Sequence, residues 1–414
     1  MSLTLLSRAD AAAHRDWMTP SRYWPALTRA TAHLDTPVAA LDLAALSYNA
    51  WDMHARAAGT TIRVASKSVR IRSVVEAVLA LPGYRGVLAY TLAEGLWLAE
   101  TVDDVVVGYP TADRAALAAL ATSPELAARV TIMVDSIAHL DVVDSVLPPG
   151  ERETVRVCLE LDSSWEAPVL GHLGVWRSPV HTAEQARALA EHIVGRPGFA
   201  LVGMMGYEAQ IAGVGDRPAG RPVMGAVNTW MQRHSGAELV ERRGRAVAAV
   251  REIAELEFVN GGGTGSLEFT AADPSVTEIA AGSGLLGGHL FDNYSSFTPA
   301  PAAAFALSVV RKPSALTATV LGGGWVASGP PAVDRMPRPV WPQGLDYAPR
   351  EMAGEVQSPL SGRAASRLRV GDRVWMRHTK SGELSEHVND FHVVHAGEVV
   401  QTVPSYRGEG KAFL

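Results

Sequence analysis

IRVASKSVRIRSVVEAVLALPGYRGVLAYTLAEGLWLAETVDDVVVG, residues 62–108, decides the fold. It opens on a short β-branched run (62–66) and passes into RSVVEAVLAL, whose apolar residues recur at helical spacing. It then returns to GVLAY (86–90), repeats the helical texture in LAEGLWLAE, and closes on DDVVVG (103–108). That alternation predicts parallel strands joined by helices. Working outward, the same texture continues through RVTIMVD (129–135), VRVCLELD (155–162), FALVGMMG (199–206), LEFVNG (256–261) and VTEIAAG (276–282). Eight strands with helices between them, over this length, predict an α/β fold of the (β/α)8 barrel type. A doubly wound open sheet would want a Gly-rich turn after its first strand, and none is there.

Beyond residue 298 the texture changes. TPAPAAAFALSVVRKP, ALTATVLGGGWVAS, LRVGDRVWMRHT and FHVVHAGEVVQTVP read as short strands divided by Gly, Pro and polar turns. The expected division is an N-terminal segment (1–34) packing on the β domain, a barrel (35–297) and a C-terminal β domain (298–414). The Pro-rich stretch 329–349 reads as a long surface loop.

Composition narrows the function classes. The chain has 414 residues, 47% hydrophobic and 19% charged, with a net charge of −6. No basic block is present, so nucleic acid and anionic membrane are not expected as partners. The lone cysteine, Cys158, lies in an apolar run and reads as a core residue; it excludes an internal disulfide and a multi-cysteine zinc site. No signal core or membrane-length apolar window is evident, so a cytoplasmic location is expected.

In a barrel the C-terminal strand ends form the active-site face. Lys67 ends the first strand, Tyr207 follows the sixth, and the cluster Gly261–Gly265 with Thr264 ends the seventh. Lys67 is flanked by small and apolar residues, with Arg63 and Arg70 close in sequence, a setting suited to a nucleophilic amine. The GGGTG run offers backbone N–H groups and hydroxyls for an anion, and AGSGLLGGHLFDNY (281–294) can complete the same cup through Ser283 and Gly284.

These residues together resemble the fold-type III pyridoxal-phosphate (PLP) family of D-threonine aldolases and D-serine dehydratases, which has an alanine racemase-type N-terminal barrel. DTPVAALDLAALSYN (35–49), RVASKSVR (63–70), GYEAQ (206–210), NGGGTG (260–265) and TEIAAGSG…FDNY (277–294) follow in that family's order. The resemblance implies that Lys67 carries PLP and Tyr207 approaches the pyridine nitrogen. Gly262, Gly263, Thr264, Ser283 and Gly284 would surround the phosphate. It also implies a small D-amino acid substrate and a homodimer.

One departure stands out. The family's β domain usually places a metal-binding histidine and a second ligand, Cys or Asp, two residues apart after a V-G-D-x-V strand. Here RVGDRVWMRHTKSGEL supplies His378, but Lys380 occupies the second position. An ammonium repels a divalent cation, so metal is doubtful; the expectation is metal-independent catalysis by His378, as acid or base, and Lys380. A second alignment uses His387 with Asn389 or Asp390. The expected activity is retro-aldol cleavage of a D-β-hydroxy-α-amino acid to glycine and an aldehyde. A dehydratase giving a 2-oxo acid and ammonia, a racemase with Tyr294 as second base, and a PLP carrier protein are the alternatives.

Overall fold

A computed structural model of the chain describes residues 2–330, 332–380 and 382–414. Its first strand, β1 (Val38–Asp42), belongs to an outer sheet. There follow β2 (Thr61–Ala65), β3 (Tyr84–Ala89), β4 (Val105–Val107), β5 (Val130–Val134) and β6 (Val155–Glu160), then a small hairpin of β7 (Trp165–Ala167) and β8 (Gly171–Leu173). Next come β9 (Phe199–Gly206), β10 (Phe258–Gly261) and β11 (Glu278–Ala281). Apart from β1 and the hairpin, these strands pair in parallel, and β11 closes onto β2 to complete an eight-stranded barrel. Every run read as a barrel strand is one.

The barrel closes because its strands are apolar on both faces, as parallel strands covered by helices must be. Val106, Met133, Cys158, Met205 and Phe258 pack together as one buried cluster, and Cys158 is a buried free thiol. Toward the N-terminal ends of the strands, the buried Arg63 pairs with Glu278 at 2.7 Å and with Asp104 at 2.7 Å. A charge held there needs such partners. Arg63 is therefore spent on the barrel's interior and does not serve Lys67.

The outer sheet takes β12 (Ala303–Ser314), β13 (Thr317–Leu321), β14 (Arg338–Trp341), β15 (Asp346–Tyr347), β16 (Gln357–Ser361), β17 (Arg373–Arg377), β18 (Asp390–His395) and β19 (Glu398–Pro404). Its main order is β15-β16-β13-β12-β1-β18-β19, with β17 bridging β12 and β14. β1 lies inside this sheet, antiparallel to β12 and parallel to β18. This corrects the boundary at residue 35: residues 38–42 do not open the barrel. Locally VAALD followed by a helix is indistinguishable from a barrel βα unit, and pairing with strands far along the chain decides its sheet. The stretch 329–349 is likewise not one loop, since it contains β14 and β15.

The N-terminal helices α1 (Arg8–Ala13) and α2 (Pro20–Ala30) precede α3 (Leu43–Arg56). Trp24 packs on Trp375 with ring centroids 6.0 Å apart, and the Trp375 indole donates to Thr28 Oγ1 at 2.9 Å. Leu6 N donates to Ser47 Oγ of α3 at 2.9 Å. The N-terminal segment thus touches both β17 and α3. Among the described residues no helix is long and apolar enough to cross a membrane.

Candidate active site

β2 runs out into a tight turn, Ser66–Ser68, that carries Lys67. Three hydrogen bonds and an ion pair hold this turn from the far side. Arg70, at φ +53°, donates Nε to the Lys67 carbonyl at 2.9 Å and pairs with Glu386 at 2.5 Å. Ser385 Oγ donates to the Val69 carbonyl at 2.8 Å, and Tyr406 N to the Arg70 carbonyl at 2.9 Å. Arg70 is thus a strut of the turn. Beneath it the buried Glu94 accepts from Tyr90 N at 2.7 Å and from the Tyr406 hydroxyl at 2.9 Å. Burial pushes the Glu94 carboxyl up to about 7, against the hydrogen bonds that oppose it.

Lys67, Tyr207, Gly262, Gly263, Thr264, Ser283 and Lys380 line one cavity of about 140 Å³ at the C-terminal ends of the barrel strands. All but Lys380 come from the barrel; Lys380 follows β17 of the outer sheet. Gly284 sits just behind the wall, its N–H donating to Thr264 Oγ1 at 3.0 Å. Thr264 Oγ1 and Ser283 Oγ are 3.3 Å apart.

The glycine turn is shaped for close approach. Gly262 has φ +82°, and a Cβ there would meet Ile279 at 2.7 Å and Thr270 at 2.8 Å. A Cβ on Gly265 would fall 2.4 Å from the Ala212 carbonyl oxygen. Glu208, fully buried, holds the turn from behind by accepting from Gly262 N at 2.9 Å, and is backed by Arg243 at 3.4 Å. An amine at one end, aromatic walls between, and a cup of glycines and hydroxyls at the other fit a flat aromatic aldehyde bearing a phosphate. The residues present fit PLP.

Two contributors escaped the sequence reading. Tyr109, just past β4, accepts a hydrogen bond from Lys67 Nζ at 2.9 Å. Arg177, in the loop after the β7–β8 hairpin, lies over the rings of Tyr109 and Tyr207 at 5.1 and 4.9 Å and pairs with Glu160 at 3.6 Å. Burial, only partly opposed by Arg177, lifts the Glu160 carboxyl to about 7. Neither GYP nor VWRSP carries a motif; barrel closure alone brings them to Lys67.

The histidine and lysine of HTK part company. Lys380 enters the cavity, and its amine falls below the usual lysine value through burial and through the positive charges of Arg335 and Lys67. His378 is buried outside the cavity lining, and burial lowers its imidazole toward the neutral form. His387 stacks on Trp325 at 4.9 Å. Among the described residues no three His, Cys, Asp or Glu side chains gather as a metal site. Tyr294 donates its hydroxyl to the Ala212 carbonyl at 2.8 Å, and burial raises its phenol.

The alanine racemase N-terminal domain family matches residues 41–288 of this chain. A D-threonine aldolase of Arthrobacter sp is 26% identical over 319 residues, covering 73% of this chain and 76% of that protein. A 3-hydroxy-D-aspartate aldolase of Paracoccus denitrificans is 28% identical over 255 residues, covering 61% and 60%. The crystal structure of D-threonine aldolase from Filomicrobium marinum superposes with a TM-score of 0.75 at 23% identity, over 91% of this chain and 96% of that one. D-threo-3-hydroxyaspartate dehydratase from Delftia sp. HT23 superposes at 0.64 and 18% identity, over 90% and 97%. These two superpositions bear on the fold, a barrel with an added sheet.

Proposed function

The chain belongs to the alanine racemase N-terminal domain family, and from that premise we propose that it is a PLP-dependent lyase cleaving small D-β-hydroxy-α-amino acids to glycine and an aldehyde. The names of its sequence relatives, both aldolases, support the reading. The observation that carries it is Lys380, a lysine delivered from the outer sheet into the cavity that holds Lys67.

Lys67 would hold the cofactor at its aldehyde carbon, Gly262, Gly263, Thr264, Ser283 and Gly284 its phosphate, and Tyr207 its pyridine side. When bound, PLP supplies the electron sink for the bond that breaks at the substrate's Cα. Lys380 Nζ, whose burial and cationic neighbours favour its neutral form more than in a free lysine, takes the proton of the substrate's β-hydroxyl. The resulting ammonium then stays beside the oxygen as it becomes a carbonyl. His378 stays outside the cavity lining, and the Thr379 and Lys380 N–H groups are held by Glu383 at 2.7 and 3.0 Å. A racemase would need Tyr294 as a second base, and its proton is already engaged.

The test is product analysis after incubating the PLP-supplemented protein with D-threonine. Glycine and acetaldehyde in equal amounts are expected. 2-Oxobutyrate with ammonia would replace the aldolase by a dehydratase in which Lys380 protonates the departing hydroxyl. Borohydride reduction followed by peptide mapping checks the cofactor separately, with the label expected on Lys67. Elemental analysis finding stoichiometric Mn or Zn, removable by chelator with loss of activity, would overturn metal independence.

A further inference from the structure

Tyr109 owes its place to Gly108, which lets β4 pass close to Leu88: a Cβ there would fall 3.0 Å from a Leu88 methyl. The chain then turns the phenol over the barrel mouth, where its oxygen lies 2.9 Å from Lys67 Nζ. Arg177 lies over the same ring and over Tyr207, with Glu160 behind the guanidinium. Lys380 is the other charged side chain on this cavity, and among its described lining residues there is no carboxylate.

We infer that Tyr109 is the proton-transfer partner of Lys67: its phenolate oxygen takes the ammonium proton that Lys67 must lose before its nitrogen can attack a carbonyl. The inference rests on the proposed role of Lys67, but the Lys67–Tyr109 exchange exists without cofactor. An ammonium has donors and no lone pair, so it is inert as a nucleophile until a base relieves it. The exchange breaks one Nζ–H bond and forms one Oη–H bond, and ammonium plus phenolate become amine plus phenol with net charge unchanged. Phenol and amine have similar intrinsic basicities, so the proton can move either way at little cost.

Tyr109 and Tyr207, two of the four tyrosines lining the cavity, show the selectivity of the arrangement. Burial pushes Tyr207 up to about 12, although Arg177 opposes it. Burial acts upward on Tyr109 as well, yet the charges and hydrogen bonds of Lys67 and Arg177 outweigh it and leave the phenol below its usual value. Contact with Lys67 Nζ, together with a hydrogen bond from Arg177, is what Tyr109 has and Tyr207 lacks.

The experiment is a tyrosinate absorbance titration of the full-length chain freed of cofactor. One of its nine tyrosines is expected to ionise ahead of the rest. Y109F should abolish that step, and K67A should move it upward by about one pH unit, because the coupling is reciprocal. PLP uptake, followed as growth of its bound absorbance band, should slow by on the order of tenfold or more near neutral pH in Y109F. The pH midpoint of uptake should rise, with the final amplitude kept. An early step that is absent in the wild type, survives Y109F or ignores K67A overturns the inference, as does an uptake profile unmoved in Y109F. Should Y109F misfold, the wild-type and K67A titrations still decide. If no variant takes up PLP, the proposed function falls while the titration judges Tyr109 alone.

Discussion

At the scale of the residue, His378 and Lys380 stand two apart where β17 ends, and the backbone sends one into the core and the other into the cavity. Because the free amine of Lys380 is the working form, kcat/KM should rise with pH through a value below that of an ordinary lysine. K380M should lower kcat on the order of 10²- to 10⁴-fold and erase that limb; a pH–rate profile of both proteins checks it. H378Q should cost far less and leave the limb where it was. Lys67 and the glycine cluster were legible in the sequence because their chemistry is local: a lysine closing a strand, glycines in a row. Tyr109 and Arg177 were not. They are an ordinary tyrosine and an ordinary arginine until barrel closure sets both beside Lys67.

At the scale of the element, the turn bearing Lys67 is short, and its rigidity is lent by segments far along the chain, residues 385–386 and 406. Glu94 links the two sides through Tyr90 and Tyr406. Its carboxyl is raised from an ordinary value of 4.5 to about 7, so the folded chain binds more protons than the unfolded one between those values. Its contribution to stability is full below about 4.5 and is lost as pH rises through 7. E94Q should therefore match the wild type near pH 4.5 and exceed it by about 1–3 kcal/mol at pH 8, as urea unfolding at the two pH values would read. The eight barrel strands were legible because apolar runs and helical spacing are properties of a short window. The membership of β1 was not, because nothing in a window of fifteen residues names a partner hundreds of residues away.

At the scale of the whole molecule, several large apolar side chains stand in solvent. Val169, Leu170 and Trp176, beside Arg177, are exposed, and so are Val223, Val227 and Trp230 on the helix Pro222–Arg251. Trp165 and Trp230, 5.9 Å apart, join the two groups. Exposed large apolar side chains grouped along the chain in this way suit an interface, and we expect a second copy to cover them in a homodimer. Sedimentation velocity should give a dimer for the wild type and a monomer for V223D/V227D. The placement of β1 has a consequence in time. β1 leaves the ribosome early, yet its β18 neighbour, paired as Leu41 with Val393, is made some ~350 residues later. At synthesis rates of about 5–20 residues per second, an apolar strand waits roughly 20–70 s for one of its two neighbours while the whole barrel is made in between. Holding that strand out of trouble is work for a chaperone, and yield in a host cell should respond to translation speed and chaperone supply more sharply than the stability of the finished protein would suggest.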